Sequence, residues 1–219
     1  MKLIVANWKM NPATLREALE LAKACDHEGV VLCVPFPYVL PLKQVLKFAK
    51  LGAQNVASCD SGPYTGEVSP LMLKDVGCEY VIIGHSERRR TYGETDVIVH
   101  QKLAAALRVG LTPILCITDP SQAEDAPCIT YEPEEAISTQ AGRVPSLQDI
   151  ATACASIHGR VSKAMVLYGG NVNANNAKDI LALPSVDGVL VGAASLKAAE
   201  FNKIINFCHS RENGNPGTY

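Results

Sequence analysis

The chain of 219 residues is long enough to bury a large core and fits a single domain, since α/β barrels of this size are common. Its formal net charge of -2 and its 19% of charged residues favour neither a nucleic-acid partner nor a membrane partner. The hydrophobic content of 47% is ordinary for a globular protein, and the sequence holds no apolar run long enough to cross a bilayer.

The eight cysteines include no Cys-x-x-Cys pair, and several of them lie inside apolar runs. This pattern argues against a zinc site and against a secreted disulfide framework. It indicates reduced, mostly buried thiols in a cytoplasmic protein. The segment Met1–Asn7 has one lysine and a short apolar run, so we expect a first strand there rather than a signal peptide. No metal and no organic cofactor are expected.

Eight short apolar runs alternate with longer amphipathic stretches. The runs are almost continuously apolar, which is typical of parallel strands that are covered on both faces. The predicted strands are Leu3–Asn7, Val30–Pro35, Gly52–Val56, Tyr80–Gly84, Thr112–Ile117, Cys128–Tyr131, Ala164–Tyr168 and Gly188–Val191.

Helical patterns occupy most of the links between these strands. Pro41 is expected to open the second helix, and Ser86 is expected to be the N-cap of a helix that follows the fourth strand. The link 118–127 is too short for a full helix, and the polar tail 209–219 is predicted to be loose. Besides the helix that follows Ser86, the predicted helices are Ala13–Cys25, Leu42–Ala49, Ser69–Val76, Asp96–Val109, Ser146–Ile157, Ala174–Leu183 and Ser195–Phe207.

Eight β/α repeats in a chain of this length predict a single (β/α)8 barrel, an α/β fold that we expect to span residues 1–208. The alternative is a doubly wound open sheet, which usually has fewer strands and a glycine-rich turn after the first strand. This chain has Asn7-Trp8-Lys9 at that turn. In a barrel, the functional residues lie at the carboxyl ends of the strands.

The residues at these strand ends have different chemistries. A lysine, an acid or a Gly-Gly turn would each, alone, be explained by an exposed side chain or a tight turn. A barrel would gather all of them around one opening, and this joint placement favours a site. They are Asn7 and Lys9 after the first strand, His85 after the fourth, Glu132 after the sixth, Gly169–Asn171 after the seventh and Gly192–Ser195 after the eighth.

These groups suit proton transfer next to a carbonyl. His85 stands at a helix N-terminus, where the helix dipole disfavours a cation, so its neutral imidazole can donate a hydrogen bond to a substrate oxygen. The glycine-containing turns after the last two strands offer backbone N–H groups to a phosphate. Glu132 supplies a carboxylate base and Lys9 supplies an ammonium group. The combination predicts proton abstraction from a small phosphorylated substrate.

Five segments, in order along the chain, resemble the triosephosphate isomerase family. The resemblance extends from Asn7 to about Phe207 and therefore covers nearly the whole sequence. The segments are Asn7-Trp8-Lys9-Met10, Val81–Arg89, Tyr131-Glu132-Pro133, Tyr168–Val172 and Gly188–Leu196.

This resemblance implies the reversible interconversion of dihydroxyacetone phosphate and D-glyceraldehyde 3-phosphate, a step of glycolysis and gluconeogenesis. Glu132 would move the proton between the two carbons, and His85 would polarise the carbonyl. Lys9 would stabilise negative charge on the enediolate and the phosphate, Asn7 would position nearby groups, and Glu87 would support the site by hydrogen bonding. The implied substrate-binding residues are Asn7, Lys9, Ser138, Asn171, Gly192 and Ala193.

The family resemblance also implies a lid, here Pro133–Gly142, and the lid departs from the common pattern. Glu134 and Glu135 stand where most members have an apolar residue and a tryptophan, and Ser138 replaces a glycine. Ala193 replaces a glycine in the last phosphate turn, but the contact there is made by the backbone. We expect these changes to alter lid kinetics and affinity more than the type of reaction.

Two further segments, Gln54–Val56 and Tyr64–Pro70, resemble the interdigitating loop of the family's dimer. The resemblance implies a homodimer, while the short chain is also compatible with a tetramer.

Two other functions stay open. An inactive barrel retained as a binding protein would not need Lys9, His85 and Glu132 together. Another phosphate-binding barrel, from a tryptophan or thiamin pathway, would lack the run from His85 to Glu87.

Overall fold

Eight parallel strands form a closed barrel in the computed structural model, which describes residues 2–136 and 145–209. Each strand pairs with the next one along the chain, and the last pairs with the first. This closure confirms the predicted barrel and shows that the open-sheet alternative is wrong. The strands are β1 (Leu3–Asn7), β2 (Val30–Val34), β3 (Lys50–Ala53), β4 (Tyr80–Ile83), β5 (Thr112–Ile117), β6 (Cys128–Tyr131), β7 (Met165–Tyr168) and β8 (Gly188–Val191).

Helices surround the barrel, and within the described residues none is long and apolar enough to span a membrane. Short 3-10 turns occur at Pro120–Gln122, Glu134–Ala136 and Ala193–Leu196; the first confirms the short coil predicted after β5. The predicted tail lies outside the described residues from position 210 onward. The helices are α1 (Leu15–Ala24), α2 (Phe36–Lys43), α3 (Pro70–Asp75), α4 (Ser86–Tyr92), α5 (Asp96–Arg108), α6 (Leu147–Arg160), α7 (Ala177–Ala182) and α8 (Ala198–His209).

The strands are buried on both faces, which explains their continuous apolar character. All five residues of β2 are buried. Within that strand Val31 and Cys33 belong to a cluster that includes Val5 of β1 and Leu190 of β8, whereas Leu32 belongs to the larger core. Successive side chains of a strand point to opposite faces, so one set fills the barrel interior and the other packs under the helices.

The barrel closes where β8 meets β1. Leu3 pairs with Gly188 in the strand register, and a Cβ atom on Gly188 would lie 2.0 Å from the Leu3 carbonyl oxygen. Any larger residue would therefore push the two strands apart. Directly before β1, the Lys2 ammonium donates hydrogen bonds to the backbone carbonyls of Leu183 and Val186, which precede β8.

The second helix is the largest error of the sequence prediction. It was expected at Leu42–Ala49 with Pro41 as its first residue, but α2 spans Phe36–Lys43 and contains Pro41. The reason is Asp26, whose carboxylate accepts hydrogen bonds from the backbone amides of the segment after α2. The amide nitrogens of Lys47, Phe48 and Ala49 lie 2.8, 2.9 and 2.7 Å from the Asp26 oxygens.

A buried ion cluster ties the start of α5 to α4. Lys102 is 6% exposed, and its Nζ lies 2.6 Å from Glu94 Oε1 and 2.7 Å from Asn55 Oδ1. Arg88 Nε donates to the same Glu94 oxygen. Burial raises the pKa of Glu94, but the hydrogen bonds from Lys102 and Arg88 lower it by more, so the net shift is downward. The charged cluster thereby fixes α4, which begins directly after His85.

All eight cysteine thiols are free, and only Cys59 is partly exposed. Burial raises the pKa of Cys25 and of Cys154 to about 12. Burial also raises the pKa values of Cys33 and Cys116 well above the ordinary thiol value. These four buried thiols therefore stay protonated and unreactive while the chain is folded.

The acid stability of the fold should depend on Asp26. Burial raises the pKa of Asp26, and the three backbone hydrogen bonds lower it by more, so its folded-state pKa lies below the usual value. The stabilisation is therefore complete above about pH 5 and is lost as the pH falls through the lowered pKa. We expect Asp26→Asn to lower the free energy of unfolding by about 1 kcal/mol at pH 7. The free energy of unfolding of this variant should also decrease less than that of the wild type as the pH falls.

Urea unfolding between pH 7 and pH 3 measures both effects. Asp75→Asn, which changes an exposed aspartate at the end of α3, is the matched control. Equal stabilities of the two variants across this range would contradict the role given to Asp26.

Candidate active site

A cavity of about 210 Å³ opens at the carboxyl ends of the strands. It brings together six of the residues proposed from the sequence, which come from the ends of β1, β4, β6, β7 and β8. They are Lys9, His85, Glu132, Asn171, Gly192 and Ala193.

His85 is both the N-cap of α4 and a wall of the cavity. The sequence prediction that Ser86 is the N-cap is wrong, because α4 begins at Ser86 and His85 Nδ1 accepts the Glu87 backbone N–H over 3.2 Å. A ring nitrogen that accepts a hydrogen bond has no proton of its own, so the neutral imidazole has its proton on Nε2. His85 Nε2 lies 3.3 Å from Glu132 Oε1, which places the donor in the cavity.

Glu132 is 2% exposed and continues the line of β6. Its backbone N–H donates to the Ile117 carbonyl over 2.8 Å, so the barrel hydrogen bonds fix the position of its Cα atom. Oε1 faces His85, whereas the buried Oε2 has no hydrogen-bond partner among the described residues. No hydrogen-bond donor among these residues therefore engages the lone pairs of this second oxygen.

Gly169 makes room for the Glu132 side chain. A Cβ atom at position 169 would lie 2.9 Å from Glu132 Cγ and 2.4 Å from Thr130 Cγ2. The next residue is equally restricted, because a Cβ atom on Gly170 would lie 2.1 Å from Tyr168 Oη. The Gly-Gly pair after β7 is therefore required by the buried side chains around it.

Lys9 has a left-handed backbone conformation, with φ of 54°. Such a conformation costs a non-glycine residue about 1 kcal/mol or more, and two side chains hold it in place. Asn7 Oδ1 accepts the Lys9 backbone N–H over 3.0 Å, and Gln54 Nε2 donates to the Lys9 carbonyl over 2.8 Å. The strained turn directs Lys9 Nζ to Glu87 Oε1, 2.5 Å away.

Glu87 connects the lysine to the histidine. Burial raises the pKa of Glu87, but the hydrogen bond and the positive charge of Lys9 lower it by more, so the net shift is downward. Its second oxygen lies 3.8 Å from His85 Nδ1. A charged Glu87 thus fixes Lys9 on one side while its backbone amide holds the imidazole on the other.

The turn after β8 forms the wall beside Lys9. A Cβ atom on Gly192 would lie 3.6 Å from Lys9 Cε. Ser195 closes the turn, since its backbone N–H and its hydroxyl donate to the Gly192 carbonyl over 2.9 and 2.7 Å. Ala193 begins the short 3-10 turn and is exposed at the cavity. Across the cavity, the Asn171 carbonyl accepts from Asn176 Nδ2 over 2.8 Å.

Two of the described site residues that the sequence predicts, Asn7 and Glu87, do not line the cavity. Asn7 is 4% exposed and lies behind Lys9, where it holds the backbone of the lysine. Ser138 lies outside the described residues, as does most of the predicted lid. Within its first part, Glu134–Ala136 forms a 3-10 turn in which the Glu134 side chain is exposed and Ala136 is buried.

The sequence interpretation missed four contributors to the site. Ser86 lines the cavity, and its buried hydroxyl has no hydrogen-bond partner in the described part of the chain. Gln54, which the resemblance places in the dimer loop, also holds Lys9 through its side-chain amide. Lys197 and Glu200 also line the cavity, although they follow β8 only after an intervening 3-10 turn. The expectation that functional residues directly follow the strand ends therefore does not identify Lys197 and Glu200.

Within the described ranges, no three side chains of His, Cys, Asp or Glu come close enough to hold a metal ion together. The groups that face one another here are an imidazole donor, a carboxylate, an ammonium and backbone turns. The site as described can therefore donate a hydrogen bond, accept a proton and bind an anion.

Comparisons with known proteins agree with this geometry. Residues 2–128 and 121–208 match the profile of the family described as triosephosphate isomerase. The triosephosphate isomerase of Trichodesmium erythraeum is 40% identical over 94% of this chain and 98% of its own length, and that of Herminiimonas arsenicoxydans is 38% identical over 93% and 98%.

A solved structure also resembles the whole barrel. The crystal structure of triosephosphate isomerase from Bartonella henselae superposes with a TM-score of 0.82 at 33% identity, and the match covers 95% of this chain and 99% of that one. Sequence and structure lead to the same assignment over nearly the full length, and this chain belongs to the triosephosphate isomerase family.

Proposed function

We propose that this isomerase interconverts dihydroxyacetone phosphate and D-glyceraldehyde 3-phosphate by proton transfer through an enediolate, as a step of glycolysis and gluconeogenesis. The observation that carries the proposal is the 3.3 Å separation of His85 Nε2 and Glu132 Oε1 inside the cavity. This reaction needs a base at one carbon and a hydrogen-bond donor at the oxygen of the next. These two groups meet both needs within the dimensions of a three-carbon sugar.

Glu132 acts as the base. Its carboxylate is 2% exposed, so little water competes for it, and Oε2 has no donor among the described residues that would have to be displaced. The carboxylate removes a proton from the carbon next to the carbonyl and returns it to the neighbouring carbon. Exclusion of water strengthens the base and protects the reactive enediolate.

His85 acts as the electrophile. Because Nδ1 accepts the Glu87 amide N–H, the Nε2–H of the neutral ring is the group that can donate to the substrate oxygen. A donor fixed in advance stabilises the charge that develops on that oxygen at no further cost in reorganisation. The same nitrogen passes the proton between the two oxygens of the enediolate.

Lys9 stabilises the negative charge of the enediolate and of the phosphate. Its ammonium pairs with Glu87, its Cε atom lies beside the turn at Gly192, and Asn7 holds its backbone. We propose that the phosphate is bound by backbone N–H groups near Gly192, Ala193 and Asn171, together with an amide of the lid at Ser138. Backbone turns of this kind bind anions without a positively charged side chain.

We also propose that the protein is a cytoplasmic homodimer. The eight free cysteines suit a compartment that keeps thiols reduced. The loop Tyr64–Pro70 offers an apolar tip, since Tyr64 is 53% exposed. Met10, which follows Lys9 directly, is 94% exposed and marks a second apolar patch beside the cavity. A tetramer built from such dimers is also consistent with these surfaces.

Replacing the base should remove most of the activity while the fold and anion binding persist. We expect Glu132→Gln to lower kcat by about 10³-fold or more in a coupled assay with D-glyceraldehyde 3-phosphate. The Ki of inorganic phosphate should stay nearly unchanged, since the turns that hold the anion are intact. Glu20→Gln on α1 removes the same charge from the exposed surface and is the control.

Two outcomes would contradict this assignment. A Glu132→Gln variant with the rate of the wild type would show that Glu132 is not the base. A folded wild-type protein without any turnover would instead favour the inactive-barrel alternative.

Shortening the loop should separate the protomers. We expect deletion of Tyr64–Gly66 to convert the dimer to a monomer in sedimentation velocity, because the loop tip would lose its apolar contact. Phe48→Ser, which removes another exposed apolar side chain, is the control and should leave the mass unchanged. A truncated protein that keeps the mass of the dimer would place the interface elsewhere.

A further inference from the structure

Two ammonium groups line the cavity, those of Lys9 and Lys197, and they differ in how firmly they are paired. Lys9 Nζ lies 2.5 Å from the Glu87 carboxylate. Lys197 Nζ lies 3.8 Å from Glu200 Oε2, which is too far for a hydrogen bond. The Lys197 side chain is also 77% exposed, against 30% for Lys9. Of the two, Lys197 is the cation available to a new partner.

The backbone of Lys197 is fixed although its side chain is exposed. Its N–H donates to the Ala194 carbonyl over 3.4 Å, and its own carbonyl accepts the amides of Glu200 and Phe201, both over 2.9 Å. Phe201 is completely buried and anchors α8. These contacts hold the Cα atom of Lys197 at the end of the 3-10 turn that starts with Ala193, and the flexible four-carbon stem gives the ammonium its reach.

We propose that Lys197 binds the phosphate dianion of the substrate and sets the preference for phosphorylated over phosphate-free trioses. Its ammonium leaves Glu200 when a phosphate occupies the turn at Gly192 and Ala193, and it pairs with an outer phosphate oxygen. The inference rests on the proposed isomerase function and adds a second lysine to a phosphate site built from backbone amides and Lys9.

The charges in the cavity favour this exchange of partners. The Lys9 ammonium is shared between Glu87 and the substrate, so a second ammonium from Lys197 adds positive charge at the phosphate. An exposed ion pair such as Lys197–Glu200 contributes little stability, about 0 to 1 kcal/mol. A phosphate with nearly two negative charges attracts the ammonium more strongly than one carboxylate does at the same distance. Glu200 remains 28% exposed and keeps contact with water.

The first test compares two lysines in the same part of the chain. Lys197→Met removes the cation at the cavity, and Lys203→Met removes an exposed cation from α8 that does not line it. For Lys197→Met we expect KM for D-glyceraldehyde 3-phosphate to rise about fivefold with kcat changed less than about twofold. The Ki of inorganic phosphate should rise by the same factor, and turnover of phosphate-free D-glyceraldehyde should stay unchanged.

A second variant tests whether Glu200 competes for the ammonium. Glu200→Gln should lower KM, and most of this gain should disappear when Lys197 is also methionine. Non-additive effects in this double-mutant cycle would support a shared partner. Additive effects would mean that Glu200 acts on the phosphate by itself and would overturn the exchange of partners.

Salt provides a readout that a purely structural role would not change. The KM of the wild type should rise with ionic strength more steeply than that of Lys197→Met, since an exposed charge pair is screened. Equal KM, Ki and salt dependence of Lys197→Met and Lys203→Met would overturn the proposal. These comparisons use an active enzyme, so a wild type without turnover would count against the proposed function and not against Lys197 alone.

Discussion

The contact between the Leu3 carbonyl and Gly188 is the constraint on which the barrel depends. A Cβ atom at position 188 would lie 2.0 Å from that oxygen, so the seam between β1 and β8 closes only around a glycine. The closure also assembles the site, since Lys9 follows β1 and Gly192 follows β8. In an open sheet these two strands would be opposite edges, and Lys9 would be far from the turn at Gly192, where a Cβ atom would now lie 3.6 Å from Lys9 Cε.

A continuous set of contacts extends from this seam to the catalytic groups. Asn7 fixes the strained backbone of Lys9, Lys9 pairs with Glu87, and the Glu87 amide orients the imidazole of His85. The adjacent Arg88 joins the buried cluster around Glu94. Two neighbouring residues thus hold the first turn of α4. Glu87 binds Lys9 in the site, and Arg88 binds Glu94 in the buried cluster. Such support keeps reacting groups in place before a substrate binds.

The strands and the residues at their ends could be predicted from the sequence, because they depend on the local pattern of apolar residues. Continuous apolar runs predicted all eight strands, although the third was placed at Gly52–Val56 instead of Lys50–Ala53, and the strand ends located Lys9, His85 and Glu132. The second helix was wrong because Asp26, more than twenty residues before the amides it binds, competes with the helix for their hydrogen bonds. Gln54 and Lys197 were missed for a related reason: their contacts depend on how distant strands and turns are placed, and no local pattern encodes that placement.

The free thiols have a consequence for the lifetime of the protein. Seven of them are buried, and the pKa values that burial raises in six of these keep those thiols inert only inside the fold. A molecule that opens fully exposes eight ordinary thiols to oxidants and to one another, and a chain that is oxidised before it refolds is trapped by incorrect disulfides. Because thiol oxidation is slow beside most refolding, the rate of loss in an oxidising medium follows the fraction of molecules that is unfolded at any moment.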